Sequence, residues 1–249
     1  MKKFLTCVLL ACGGFLQINA QTVFIPNGTI EYERKINVHR QFETENEEDG
    51  DWFKEFLSKQ PKFHTSYFQL SFNKDKALYQ PGRESETKME PWLIGPAKEN
   101  IVLTDFNGMQ FTSRKKVFEQ TFIVADSSNK VQWKLSNETR TIAGFECRKA
   151  VGVISDSVYV VAFYAEEIPV SGGPESFGGL PGMILGLAVP RLYSTWYATK
   201  VELTDPPASI FTINTKGKKV IQRELSPILT STFTDWGKRG AKFIWWSLL

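Results

Sequence analysis

The chain has 249 residues, enough for one large domain or two small ones with a substantial core. Its 30 basic and 27 acidic residues give a formal charge of +3 at pH 7, without the concentrated basic face that nucleic-acid binding needs. His39, His64 and Cys147, far apart along the chain, fall short of zinc-ligand spacing, and neither a metal nor a cofactor is expected.

The N-terminus reads as an export signal over 1–20. Lys2-Lys3 forms a positive start, Phe4 to Leu16 an apolar stretch, and Ile18-Asn19-Ala20 a small-residue cleavage site. The apolar stretch is too short for a good membrane span, and no later run is longer. Leu9-Leu10-Ala11-Cys12 resembles a lipobox. However, Leu10 is bulky for its position and the resulting signal would be very short, so lipid anchoring at Cys12 is not favoured. Cleavage leaves 28 basic and 27 acidic residues, a balance of +1, and Cys147 as the one cysteine. An exported domain with one cysteine has no internal disulfide and must be held by its core. The expected location is the periplasm or the outer-membrane surface.

The mature chain reads as a succession of strands. Thr29 to Ile36 alternates as a first strand. The charge run from Glu43 to Asp49 is a solvated loop or helix start. Trp52-Phe53 with Phe56-Leu57 has helical spacing, giving a short amphipathic helix over 50–59 that Pro61 ends. Strands follow at His64–Phe72 and Lys76–Tyr79, around a turn at Asn73-Lys74-Asp75. Gln80 to Asn100, with its prolines and glycines, reads as a long connection. Ile101–Phe106 and Met109–Thr112 form the strongest hairpin signal, with a type I′ turn at Asn107-Gly108. Val117–Ala125, a turn over 126–129, Val131–Leu135, Glu138–Ile142, Glu146–Ile154 and Ser157–Tyr164 continue the meander.

A Gly/Pro-rich loop over 168–177 leads to Gly178-Gly179-Leu180-Pro181-Gly182. Leu180-Pro181-Gly182-Met183 has the Pro and Gly of a type II turn. Met183–Val189 is nearly all apolar, which suits a strand buried on both faces or lining a greasy groove, and Gly186 suggests a bulge or a close backbone approach. Tyr193–Leu203 pairs with it around Pro190-Arg191, and Ile210–Asn214 would be a last strand before an aromatic and basic tail. Some ten strands at short spacing with one or two short helices imply a mainly β fold. The expected form is a single antiparallel, strongly curved sheet, a half-barrel patterned like periplasmic lipoprotein carriers.

Gly179-Leu180-Pro181-Gly182-Met183-Ile184 resembles the hexapeptide of the bacterial GLPGLI family of exported proteins, whose function is not established. Gly144-Phe145-Glu146-Cys147-Arg148-Lys149-Ala150, Ala162-Phe163-Tyr164, Ile168-Pro169 and Gly173-Pro174 resemble further blocks of that family. Met183 stands where the family has Leu, a volume-conserving exchange. The resemblance implies a GLPGLI-like β-rich domain over 21–225, followed by a tail over 226–249.

The candidate ligand site is a glycine-rich lip and groove formed by Gly173, Phe177, Gly179, Leu180, Pro181, Gly182, Met183, Leu185 and Leu187, with unengaged backbone N–H groups at the lip. It is not a phosphate loop, since no Lys-Ser or Lys-Thr follows the glycines and a strand comes next. Cys147 reads first as a small buried hydrophobe and second as a reactive thiol activated by Arg148 and Lys149. No catalytic residues are assigned: no Gly-x-Ser-x-Gly elbow exists, and Glu166-Glu167 on a strand would face opposite ways. The leading functional reading is an exported, non-enzymatic protein of the cell envelope that binds an apolar, lipid-like ligand. The alternative is an envelope accessory protein acting by protein contact through the tail and the Gln80–Asn100 connection. A thiol enzyme pairing Cys147 with His39 or His64 ranks below both. The tail could also touch a membrane surface without spanning it.

Overall fold

The computed structural model describes residues 24–43, 51–127, 131–155 and 158–249. The expected signal over 1–20, Cys12, most of the acidic run after Glu43, and Ser128-Asn129 of the predicted turn fall outside them. The strands are β1 (Gly28–Asn37), β2 (Phe63–Phe72), β3 (Lys76–Pro81), β4 (Ile101–Asp105), β5 (Gln110–Val117), β6 (Gln120–Ser127), β7 (Lys134–Ile142), β8 (Phe145–Ser155), β9 (Val158–Ala165), β10 (Met183–Val189), β11 (Ser194–Glu202) and β12 (Lys218–Val220). The helices are α1 (Val38–Glu43), α2 (Asp51–Ser58), α3 (Pro91–Ile94), α4 (Gln222–Thr232) and α5 (Gly237–Leu248).

All twelve strands form one open sheet in the order β12-β6-β5-β4-β3-β2-β1-β11-β10-β9-β8-β7. Most pairs are neighbours in sequence, as short turns dictate. One of the two pairs distant in sequence is β1 with β11, which joins two meanders at mid-sheet. The expectation of a wholly antiparallel sheet needs one correction. Strand β12 pairs with β6 in parallel, because the chain returns along the β6 edge after the irregular segment 203–217. That segment includes Ile210–Asn214, which forms a 3-10 turn and coil in place of the expected strand.

The turns also differ from the simplest reading. Asp105 pairs with Gln110, so the Asn107-Gly108 hairpin closes through four residues, with Met109 at φ +48°. The Asp105 carboxylate accepts the Gly108 N–H at 3.0 Å and sets this longer turn. Val117–Ala125 is not one strand: Val117 ends β5, and Phe118 (φ +53°) with Glu119 makes a two-residue turn into β6. No glycine or asparagine marks that turn. Phe118 is held instead by rings of Phe233, Trp236 and Phe243, with centroids 5.4–5.7 Å away.

Burial alternates along β1, with Ile30, Tyr32, Arg34 and Ile36 inward and Lys35 exposed. Alternation of this kind marks a sheet with one covered face. Among the described residues five helices, rather than one or two, accompany the sheet. Helix α2 lies where its spacing predicts and buries Phe53 and Leu57, with Phe53 against Phe42 and Trp92. Helices α4 and α5 come from the tail. Pro227, a Thr/Ser-rich stretch and two glycines obscure their helical pattern in the sequence. In the structure the hydroxyls of Thr230, Thr232 and Thr234 bond back to carbonyls of α4, at 2.8–2.9 Å. Asp126 on β6 receives the Gln222 N–H at the start of α4 at 3.0 Å. Trp246 and Leu249 are buried in the main core. The boundary expected at 225/226 lies inside α4.

Candidate functional site

The loop between β9 and β10 folds back onto its own strand. Met183 N–H bonds to Ile168 O at 3.0 Å, and Ile184 N–H to Gly172 O at 2.8 Å. Trp133 donates its indole N–H to Gly178 O, and Ser171 Oγ accepts the Gly179 N–H, both at 2.9 Å. The N–H at the lip is therefore engaged, contrary to the expectation of unengaged amides. The glycines also work differently from the predicted type II turn. Positive φ falls at Gly179 (+86°) and not at Gly182. Gly182 is required by space, since a Cβ there would lie 2.2 Å from Ala165 O. Gly186 has both expected features: the β9 register shifts between Ile184 and Gly186, and a Cβ would meet Ile142 at 2.7 Å.

The candidate lip residues divide into two sets. Leu180, Met183, Leu185 and Leu187 are packed in the core, Gly173 and Gly182 are buried against backbone or Ile184, and Pro181 is exposed. Phe177 and Gly179 line an open cleft of about 380 Å³ with Phe106, Met109, Phe111 and Val170. On its other side Phe177 borders a second cleft of about 240 Å³, whose wall is Trp245, Leu248 and Leu249 from the C-terminal end. The apolar space thus lies outside the loop, between it and the β4–β5 hairpin, and not behind β10.

Cys147 is wholly buried, and burial pushes its thiol up to about 12. Its Sγ contacts Phe145 O at 3.6 Å. His39 bonds to Gln60 O and His64 to Ser66 Oγ, at 2.9 and 3.1 Å, so neither supplies the thiol with a hydrogen-bonded base. Among the described residues no group of three or more His, Cys, Asp or Glu is arranged to hold a metal.

A third feature escaped the sequence reading. Arg34 (0 % exposed), Lys115 (2 %) and Glu175 (1 %) are buried together beneath the C-terminal helix. Arg34 occupies an inward position of β1, and Lys115 follows Phe111 and Ser113 on the inward side of β5. The Arg34 guanidinium lies over the Trp246 and Trp196 rings, 4.2 and 5.3 Å from their centroids. Trp196 in turn donates its N–H to Tyr79 Oη at 3.1 Å. Glu175 projects from the β9–β10 loop with φ +55° and accepts from Asn100 Nδ2 at 2.9 Å. Burial raises the Glu175 carboxyl, while Lys115, Arg34, Asn100 and the Tyr79 phenol pull it down. Burial lowers Lys115 to about 8 against the attraction of Glu175, and lowers Arg34 to about 10, still a cation at neutral pH. The inward register of Arg34, in line with Ile30, Tyr32 and Ile36, was the available signal. Glu175, in an irregular loop, offered none.

The profile of a family described as a protein of unknown function (Porph_ging) matches residues 153–186, from the end of β8 to the start of β10. That span contains the Gly179–Ile184 hexapeptide and the Glu175 loop. No curated protein is significantly similar in sequence. A solved structure of PNGF-II in space group C2 is similar with a TM-score of 0.50 at 16 % identity, over 88 % of this chain and 32 % of that one. The same protein in P21 gives 0.49 at 18 %, over 79 % and 31 %. An uncharacterized conserved protein from Thermus thermophilus gives 0.40 at 6 % identity, over 79 % and 91 %. The chain spans about a third of PNGF-II (31–32 %), and at 16 % identity the likeness is one of fold. No helix among the described residues is long and apolar enough to cross a membrane.

Proposed function

We propose that this is an exported, non-enzymatic binding protein of the cell envelope that takes an apolar, lipid-like ligand. In this reading the sheet works as a curved half-barrel, and the ligand lies in the cleft between the β9–β10 loop and the β4–β5 hairpin. The observation that carries the reading is the cleft itself, about 380 Å³, lined by Phe106, Met109, Phe111, Val170 and Phe177. That volume is at the lower end of the roughly 300–1,000 Å³ typical of small-ligand sites. No catalytic pair converges on it: Cys147 is sealed in the core, and Lys74 is the one charged group on the cleft wall. The test is native mass spectrometry of the mature protein taken gently from its own envelope. Retained apolar mass that disappears in Phe106→Gln/Met109→Glu supports the reading. A bare wild-type mass, or an adduct unchanged in the variant, overturns it.

A second reading, an envelope accessory protein working by protein contact, is favoured by one specific observation. The Gln80–Asn100 connection and the tail meet at another cleft of about 380 Å³, lined by Trp92, Gly95, Pro96, Lys98, Phe118 and Phe243. Exposed Trp52, Trp92, Phe118 and Trp236 extend this aromatic surface, and such large apolar side chains on a surface mark contact sites. Cross-linking in the native envelope separates the two readings. A captured partner lost in Trp92→Ala/Trp236→Ala favours contact, and capture unaffected by that variant removes it.

A further inference from the structure

The buried polar cluster beneath α5 is a separate feature from both clefts and has its own chemistry. All three guanidinium nitrogens of Arg34, the Lys115 ammonium and the Trp246 indole N–H lack hydrogen-bond partners although all are buried. Against these donors stand three unpartnered acceptors, Glu175 Oε1, Gln41 Oε1 and Gln222 Oε1, with His64 Nδ1 and Ser113 Oγ able to serve either way. Two buried cations face one buried carboxylate, and no ion pair within 4 Å joins them among the described residues.

Such an arrangement is costly if the fold alone is its purpose. A buried charge loses several kcal/mol of hydration, roughly, and recovers it only through close pairing and hydrogen bonds. Apolar residues at positions 34 and 115 would fill the same inward registers without that cost. The geometry of Arg34 is specific as well. Its Cζ lies 5.3 and 4.2 Å from the Trp196 and Trp246 ring centroids, and its three nitrogens keep their N–H groups unengaged. Those N–H groups form the fork that binds a carboxylate or phosphate through two parallel N–H bonds. Trp246 adds a further donor beside it. Glu175 is held by Asn100 in a left-handed conformation that a residue with a Cβ rarely adopts. Backbone strain of this sort persists where the surroundings enforce it, and it clusters at binding sites.

We propose that the buried polar cluster beneath α5 is a binding site for one small oxyanion, a carboxylate or phosphate group. The unpartnered N–H groups of Arg34, beside Trp196 and Trp246, engage it, and Lys115 supplies the second positive charge. The group can arrive as a free ion or as the head of an acyl-chain ligand, since the recognising chemistry is the same. This assignment does not depend on the lip cleft.

The experiment titrates the full mature protein with sodium phosphate, sodium acetate and laurate at constant ionic strength, with chloride as the balancing anion. The readouts are the thermal midpoint and the fluorescence of the tryptophans flanking Arg34. A saturable response to at least one probe is expected. Its half-saturation should weaken about tenfold or more in Arg34→Lys, which keeps the charge and loses the fork, and similarly in Lys115→Met. Lys35→Met, on the outward side of the same strand, removes a positive charge without touching the cluster and should leave the response intact. Response to acetate or phosphate identifies a free ion, and response to laurate alone identifies an amphiphile head group. No saturable response to any probe, or a response equal in wild type, Arg34→Lys and Lys115→Met, overturns the proposal. Should Arg34→Lys fail to fold, Lys115→Met decides by itself. Absence of an apolar adduct in mass spectrometry counts against the lip cleft alone, and absence of a response to any probe counts against the polar cluster alone.

Discussion

Strands β10 and β1 lie two positions apart in the sheet, separated by β11, and both are covered, yet they are buried on different terms. Along β10, six of the seven residues are buried, and the carbonyl of Ile184 accepts the Tyr32 hydroxyl at 2.7 Å. Its apolar groups meet apolar groups, and close packing is enough to explain it. The inner face of β1 carries Arg34 between β11 and a helix, which offer it the Trp196 and Trp246 rings, and its N–H groups have no acceptor. The first region is explained by the stability of the fold. The second leaves donors that the fold does not satisfy.

Substitutions in the two regions should therefore differ in sign as well as in size. Leu187→Ala, at a fully buried β10 position, should cost about 2–5 kcal/mol in urea unfolding. Lys115→Met should behave oppositely and leave the protein as stable or more stable at pH 7. The lysine pKa is lower in the folded chain, about 8, than its ordinary 10.5, so below pH 8 both states are protonated and the folded state bears the whole cost of burial. Between about 8 and 10.5 the folded chain releases its proton while the unfolded chain keeps it. Wild-type stability should then rise relative to Lys115→Met, by at most about 3 kcal/mol across that window, with Glu175 reducing the span. A difference that falls with pH would show that the ammonium is well paired. Cys147→Ser should cost about 1 kcal/mol, since a hydroxyl can still reach Phe145 O, and the native thiol should resist a disulfide reagent until the chain unfolds. Met109→Glu, at a position 60 % exposed on the hairpin, should move stability by less than about 0.5 kcal/mol while weakening any apolar adduct.

What the sequence could reveal follows the same divide. Met183–Val189 is read with the same limits that β10 has, because an unbroken apolar run between turn residues has few alternatives. Helix α2 is legible because Trp52, Phe53, Phe56 and Leu57 fall on helical spacing. Signals fail where tertiary contacts replace local chemistry. The Phe118 turn depends on rings from α4 to α5, and the helices of the tail on hydroxyls that satisfy carbonyls around a proline. Gly182 was noticed for a conformation it does not adopt, when its reason is the carbonyl of Ala165. The site was legible in part. Phe177 and Gly179 border open space, while Leu180, Leu185 and Leu187 lie in the core, since an apolar strand reads alike whether it lines a groove or fills a core. The inward register of Arg34 and Lys115 was visible in the alternation of β1 and β5, whereas their meeting with Glu175 depends on a loop whose path no periodicity encodes.

One strand pair sets how this molecule behaves at high concentration. An open sheet ends in two rows of unpaired backbone groups that can recruit a second copy, and polymerisation begins at such edges. Here one edge is β12, three residues long with two adjacent lysines, laid in parallel over the much longer β6. The other is β7, mostly exposed, carrying Lys134, Glu138 and Arg140 and broken in register between Leu135 and Thr139. Short, charged and irregular margins discourage chain-to-chain stacking. The parallel strand covers Phe122, Ile123 and Val124 of β6, and removing Lys218–Val220 would open those three residues to the next molecule.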